Sequence, residues 1–166
     1  FNGVKVPQEN IIGDITGTKS CLDEVLAKAT VLKCGEMIGG LDTVLKLTVE
    51  HVKTRHQFGK PLGTLQAVQH HCADLATLLE SSRLIARQTA YMLSEGLPCD
   101  KEIAMTKAWC SDSYKKGTWI AQQLHGGVGF TEEYDLHLFY KHAKASELSF
   151  QDAFFHRSKV ADQLGI

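Results

Sequence analysis

Apolar residues recur at steps of three and four along most of the chain, and this periodicity predicts long α-helices. The first helix is expected over about residues 20–55, the second over about 64–94 and the third over about 100–125. A fourth helix is expected after Thr131, and a fifth over about 150–164. Because the joining segments are short, the pattern predicts an all-α fold: an antiparallel four-helix bundle with an additional short C-terminal helix.

The same spacing predicts which face of each helix is buried. On the first helix the apolar positions are Leu22, Leu26, Ala29, Leu32, Ile38, Leu41, Leu45 and Val52. The corresponding positions on the second helix are Leu65, Val68, Cys72, Leu75 and Leu79, and on the third Ile103, Lys107, Tyr114, Ala121 and Leu124. On the fourth they are Leu136, Phe139, Tyr140 and Ala143. The pair Gly39-Gly40 either weakens the first helix or lets a neighbouring helix approach closely.

The first seven residues follow a different pattern, because Val4 and Val6 alternate with polar residues. This alternation predicts a short β-strand, and its pairing partners are expected in a preceding part of a longer or processed chain. The sequence is therefore divided into residues 1–17, a strand remnant with its linker, and residues 18–166, a helical bundle.

Composition narrows the function classes. The 166 residues are 43% hydrophobic and 22% charged, which is typical of a globular domain, and the apolar runs are too short for a membrane span. A net charge of −1 gives no general attraction to nucleic acid. Five cysteines without a Cys-x-x-Cys pair indicate a reducing compartment, the bacterial cytoplasm or the mitochondrial matrix of a eukaryote.

Two kinds of chemistry are disfavoured by spacing. No Glu-x-x-His pair occurs, and the run His70-His71-Cys72 lacks helical ligand spacing, so no metal site is predicted. No Gly-x-Ser-x-Gly segment occurs either, and the chain therefore lacks the nucleophile turn of a serine hydrolase.

A glycine cluster, Gly126-Gly-Val-Gly-Phe130, stops the third helix. Such a cluster is typical of a turn, but its exposed N–H groups can also bind a phosphate or a ring. An anionic ligand needs a cation, for which Arg55 of Arg55-His-Gln-Phe-Gly-Lys-Pro-Leu62 is the candidate. Because a basic helix end followed by glycine is also common, spacing alone leaves both interpretations open.

These segments resemble signatures of acyl-CoA dehydrogenases. Residues 55–62 resemble Arg-x-Gln-Phe-Gly-x-Pro-Leu, and residues 123–130 resemble Gln-x-x-Gly-Gly-x-Gly-Phe. Residues 1–13 are similar to the strand and loop that close the middle β-domain of that family. The three segments stand in the family's order and separations, and together they span almost the whole chain.

The resemblance implies an FAD-dependent oxidoreductase that acts on the CH–CH group of acyl-CoA, with this chain as its C-terminal FAD-binding and oligomerisation domain. The matching cofactor positions are Arg55, Gln57, Phe58, Gln66, Gln123, Gly126 and Gly127. Arg55 would contact the FAD pyrophosphate of a neighbouring subunit, which implies a homo- or heteromeric dimer or tetramer. A role in fatty acid metabolism and an electron-transfer flavoprotein or similar acceptor are implied as well.

The catalytic base of the family is missing from both positions that the resemblance indicates. Most members carry it as Glu in a Tyr-Glu-Gly-Thr stretch, where this chain has Ser149-Phe150-Gln151-Asp152. Others carry it on the first long helix, at the position of Ala29, and the next residue, often Arg, is Thr30 here. Neither phenylalanine nor alanine can take up a proton.

Three interpretations of this absence stay open. The chain is a catalytically silent subunit of a heteromeric acyl-CoA dehydrogenase, or a nearby carboxylate, Glu147 or Asp152, replaces the base. The third is a flavin monooxygenase of the same fold, for which His142 and His156 would be candidate residues.

Overall fold

The computed structural model describes residues 1–12 and 18–166, with side chains from residue 21 onward in the second range. Over these residues the chain forms five α-helices: α1 (Thr18–Thr54), α2 (Gln66–Ser94), α3 (Asp100–His125), α4 (Leu136–Leu148) and α5 (Ala153–Leu164). A hairpin joins α1 to α2 through β1 (His56–Gln57) and β2 (Lys60–Pro61), and short 3-10 turns cover Gln8–Asn10, Leu62–Thr64 and Gly126–Phe130. The predicted helical bundle is confirmed.

The helix α3 lies at the centre and contacts each of the other four α-helices. Two contacts show that α3 runs parallel to α1: Met37 lies against Ser111, and further along both helices the rings of His51 and His125 stack. The bundle therefore has two ends. The hairpin end contains the C-termini of α1 and α3 with residues 55–66 and 123–130, and the turn end contains the opposite termini with residues 149–152.

The buried face of α1 agrees with the predicted stripe only in the second half of the helix. Leu41 and Val52 are buried, but Leu22, Leu26 and Leu32 are 55%, 42% and 75% exposed. The buried positions of α1 are Thr30, Cys34, Met37, Leu41, Val44, Thr48 and Val52. The prediction failed near the start of α1 because this helix is apolar on several sides there, so spacing alone does not select the side that faces α3.

Close approach explains the second glycine of the pair in α1, Gly40, whereas a Cβ atom added to Gly39 would meet nothing within 4 Å among the described residues. A Cβ atom added to Gly40 would overlap the hydroxyl of Tyr114 on α3. Tyr114 is fully buried, and its hydroxyl donates a hydrogen bond to Nδ1 of His142, 3.1 Å away on α4. Burial raises the pKa of Tyr114 to about 12, so the phenol stays protonated. The glycine therefore lets α1 pack against α3 where α4 also reaches α3.

The strand predicted around Val4 and Val6 is not formed. Residues 1–10 are exposed and contain one 3-10 turn, Gln8–Asn10. A strand needs a neighbour to pair with, and the described part of the chain provides none beside this segment. The linker residues 13–17 lie outside the described ranges. Among the described helices, none combines the length and apolarity that a bilayer-spanning segment requires.

Candidate functional site

A tight hairpin follows α1 and displays the first group of predicted cofactor residues. Leu62 N–H donates to the carbonyl of Arg55 at 2.8 Å, and Gln57 pairs with Lys60. Phe58 and Gly59 form the turn with φ values of 56° and 77°, the signs of a type I′ turn. The Phe58 ring is 87% exposed. The turn therefore presents Arg55, Gln57 and Phe58 on the surface.

The glycine turn after α3 displays the second group. Gly126 has φ 62° and ψ −142°, a conformation that essentially only glycine adopts. A Cβ atom added to Gly126 or Gly127 would meet nothing within 4 Å among the described residues. Gln123 is exposed on the last turn of α3. The backbone of this turn is thus open to close approach by a ligand or another chain.

Two histidines fix the hairpin and the glycine turn against each other. The rings of His51 and His125 stack with centroids 4.2 Å apart. His125 Nδ1 donates to the Ala121 carbonyl at 2.8 Å, and its Nε2 accepts from the Tyr134 hydroxyl at 3.1 Å. Burial lowers the pKa of His125, which is consistent with a neutral ring. Sequence reasoning missed this pair because no helical spacing relates residues 51 and 125.

All seven predicted cofactor residues lie at the hairpin end and are exposed. The chemistry of the donors suits an anionic cofactor with an aromatic ring. Arg55 provides the cation, and the N-terminus of α2, which begins at Gln66, provides N–H groups at the positive end of a helix dipole. The glycine turn follows the carbonyl end of α3, so its contribution is an accessible backbone rather than a positive field.

One buried side chain at this end was missed from the sequence. Gln122 is 3% exposed, and neither atom of its amide has a hydrogen-bond partner within the described part of the chain. Its Oε1 lies where a Cβ atom of Gly129 would be. The third glycine of the cluster therefore leaves room for this amide beneath the turn.

At the turn end, Phe150 and Thr30 border the same cavity. The cavity has a volume of about 610 Å³, and its wall includes Leu26, Thr30, Ile103, Phe150, His156 and Lys159. Phe150 is 40% exposed, and φ is 55° for Phe150 and 73° for Gln151. Gln151 stands where the Tyr-Glu-Gly-Thr stretch has glycine, and its positive φ is the conformation that favours glycine. The α5 helix begins at 153 rather than 150 for this reason.

Each carboxylate near position 150 has structural partners. Glu147 is buried, and its two oxygens accept hydrogen bonds from Lys115 at 2.7 Å and Lys144 at 2.6 Å. Burial alone would raise the pKa of Glu147, but the two ammonium groups outweigh this and lower it. Asp152 caps α5 by accepting from the Phe155 N–H at 2.8 Å.

His142 also takes part in a structural network. Its Nε2 donates to Glu36 of α1 at 2.6 Å, and its Nδ1 accepts from Tyr114 of α3. The network joins α1, α3 and α4 in the middle of the bundle. The described residues contain no cluster of three or more His, Cys, Asp or Glu side chains that could hold a metal ion.

Residues 17–150 match the acyl-CoA dehydrogenase C-terminal domain family. The chain belongs to the acyl-CoA dehydrogenase family. It is 33% identical over 165 residues to the acryloyl-CoA reductase (NADH) of Anaerotignum propionicum, covering 99% of this chain and 42% of that protein. The chain thus spans less than half the length of this relative.

Solved structures agree with this family assignment. An acyl-CoA dehydrogenase from Geobacillus kaustophilus superposes with a TM-score of 0.93 at 27% identity, over 100% of this chain and 44% of that one. The structure of PigA with FAD and proline superposes with a TM-score of 0.93 at 26% identity, over 99% and 43% of the two chains. The bundle is therefore the C-terminal domain fold of this family.

Proposed function

We propose that this chain is the C-terminal FAD-binding and oligomerisation domain of an oxidoreductase that acts on the CH–CH group of acyl-CoA thioesters. The observation that carries the proposal is the position of the seven signature residues. Segments that are far apart in sequence bring them to one end of the bundle, where all seven are exposed. Exposed cofactor residues on a single chain are what a cofactor site shared between subunits requires.

Each group has a defined task in this proposal. Arg55 binds the FAD pyrophosphate by a charge-assisted contact, with N–H groups at the start of α2 beside it. Gly126 and Gly127 allow the ADP part to approach the backbone, with Gln123 and Gln66 as polar contacts, and Phe58 packs beside the cofactor. When bound, FAD supplies the hydride acceptor for oxidation of the acyl group.

The remaining features of the assembly belong to the same proposal. Residues 1–17 are the remnant of a middle β-domain with its linker, and FAD lies between subunits of a homo- or heteromeric dimer or tetramer. An electron-transfer flavoprotein or similar acceptor reoxidises the flavin, in the bacterial cytoplasm or the mitochondrial matrix. The 166-residue chain alone provides one wall of the site, so it is expected to fold without retaining FAD tightly.

A second candidate function is a catalytically silent subunit of a heteromeric acyl-CoA dehydrogenase. The residues at both base positions, Phe150 and Ala29, carry no titratable group, and Thr30 replaces the frequent arginine. Glu147 and Asp152 are engaged by two lysines and by the α5 cap. In this second proposal an active homologous subunit contributes the base, and this chain contributes only its side of the flavin site.

The test of the cofactor site compares Arg55→Ala with Lys53→Ala in the assembled protein. Lys53 is an exposed cation in the last turn of α1 and serves as the matched control. Loss of a charge-assisted contact is expected to weaken FAD binding about tenfold to a hundredfold in Arg55→Ala, with little change in Lys53→Ala. Fluorescence titration with FAD measures both. Equal affinity in the two variants would contradict the proposal.

The test that separates the two candidate functions is acyl-CoA oxidation with an artificial electron acceptor. Turnover by this subunit alone supports the enzyme and excludes the silent subunit. Turnover that appears only after a homologous subunit carrying the glutamate is added supports the silent subunit and contradicts an active enzyme.

A further inference from the structure

The turn formed by residues 149–152 has a backbone conformation that its own residues disfavour. Phe150 and Gln151 both have positive φ, at 55° and 73°. Residues other than glycine rarely occupy this region, and they remain there only where the surroundings determine the conformation. The cause of the conformation therefore lies in the contacts that other elements make with the turn.

Lys107 of α3 makes the first set of contacts. Its side chain is fully buried, and Nζ donates to the carbonyls of Glu147 and Gln151, both at 3.0 Å. Its third N–H donates to the Ser111 hydroxyl at 3.0 Å, and the Ser146 carbonyl oxygen lies 3.4 Å from Nζ. The last carbonyls of a helix lack hydrogen-bond donors within the helix. Lys107 therefore provides donors both to a carbonyl at the end of α4 and to a carbonyl of the turn. Burial lowers the pKa of Lys107.

His156 of α5 makes the second contact. Its Nε2 lies 2.9 Å from the Phe150 carbonyl oxygen, and because a carbonyl only accepts, Nε2 carries the hydrogen. The side chain is 4% exposed, and burial lowers its pKa, which favours the neutral ring. Lys107 and His156 thus hold successive carbonyls of the turn from two different helices.

We propose that Lys107 and His156 are positioning residues. They hold the turn so that the side chain of residue 150 borders the cavity next to Leu26 and Thr30. This is the position at which most members of the family carry the catalytic base. The inference rests on the proposed acyl-CoA function. In this inference the contacts that hold the turn are present, while the position of the family's base carries phenylalanine. A carboxylate introduced by Phe150→Glu is therefore placed to remove the α-proton of an acyl thioester and to return a deuteron from D2O.

Hydrogen exchange in the 166-residue chain tests the contacts themselves. The amides of Ser149 and Phe155, at the two ends of the turn, donate to the Ala145 carbonyl and the Asp152 carboxylate. In His156→Leu these amides are expected to exchange about tenfold faster, because one buried hydrogen bond is lost. His156→Gln is expected to keep the protection, since its amide nitrogen can donate to the same carbonyl. Lys107→Met is expected to release the turn, and Lys141→Met, the same change at an exposed site on α4, is the control. Unchanged exchange in His156→Leu would overturn the inference.

Proton exchange in the assembled protein tests the function of these contacts. With Phe150→Glu, butanoyl-CoA and octanoyl-CoA in D2O are expected to exchange their α-protons, which NMR measures. Adding His156→Leu is expected to lower the rate constant about a hundredfold with KM unchanged, and His156→Gln to restore it, because a displaced base loses its alignment.

The two measurements distinguish the possible failures. If His156→Leu releases the turn but leaves the exchange rate constant of Phe150→Glu unchanged, the positioning role is wrong. If Phe150→Glu promotes no exchange while its turn stays protected, the proposed acyl-CoA function is wrong, and the positioning role falls with it.

Discussion

The segments that carry the family motifs at the hairpin end and the turn end of the bundle are held in different ways. At the hairpin end, Arg55 and Phe58 are exposed and the backbone at Gly126 is open to close approach. At the turn end, a fully buried lysine and a buried histidine hold the backbone of the turn. In the proposed function the hairpin end is completed by another chain or domain, whereas side chains of the bundle itself hold the turn.

The two ends also differ in how closely they match the family motifs. The hairpin end carries the signature residues, which contact FAD in the proposed function. At the turn end the residue presented to the cavity, Phe150, departs from the family pattern, while the buried side chains that shape the turn are present.

Among the substitutions considered at the two ends, Lys107→Met is expected to lower the free energy of unfolding most. The substitution keeps much of the side-chain volume but leaves main-chain carbonyls buried without a donor. The free energy of unfolding is expected to fall by about 2–4 kcal/mol. Urea unfolding followed by circular dichroism measures it, with Lys141→Met as the exposed control. A loss below about 1 kcal/mol would show that the turn end does not depend on this lysine.

Mild acidification is expected to lower the free energy of unfolding by a smaller amount, through one histidine at each end. Burial lowers the pKa of His125 at the hairpin end and of His156 at the turn end. Below an ordinary histidine pKa of about 6.5, the unfolded chain takes up protons that the folded chain resists. Stability is therefore expected to fall as the pH drops from about 7.5 to about 5.5, a range above the titration of ordinary carboxylates.

The contributions of the two ends to this pH dependence can be separated. His125→Gln and His156→Gln are each expected to reduce the slope of unfolding free energy against pH, and the double variant to reduce it further. Urea unfolding at several pH values provides the slopes. A slope that neither substitution changes would contradict the assignment of buried, neutral rings to these positions.

The smallest expected effect on stability is that of Arg55→Ala. Arg55 is exposed on the hairpin, so the free energy of unfolding of the 166-residue chain is expected to change by less than about 0.5 kcal/mol. Thermal unfolding beside Lys53→Ala measures it. A large loss would mean that the guanidinium supports the fold, and the contrast between the two ends would then fail.

The hairpin and the first helix show how far sequence patterns reach. The spacing of apolar residues gave the first three helices to within two residues at each end. The two-residue turn at Phe58-Gly59 gave no signal, because phenylalanine with positive φ is uncommon in such turns. The exposed start of α1 was misjudged, since a helix that is apolar on several sides does not reveal which side is covered.

The residues of the candidate sites also divide into those that sequence motifs predict and those that only the structure reveals. Ordered motifs predicted the seven cofactor positions and identified Phe150 and Ala29 as departures from the family pattern, because residue type and order are properties of the sequence. The stack of His51 on His125 and the unpartnered amide of Gln122 gave no such signal. The stack depends on how the ends of the parallel helices α1 and α3 meet, and the amide depends on how the glycine turn folds over α3.

The sequence by itself determined the helical period, the breaks between helices and the family motifs, since these depend on residues that are near in sequence or on their order. Only the tertiary structure decided the role of Lys107. Its spacing marked it as part of a buried face, but its partner Gln151 lies 44 residues away. A buried ammonium group is stable only with acceptors around it, and packing of α3 against the end of α4 provides them.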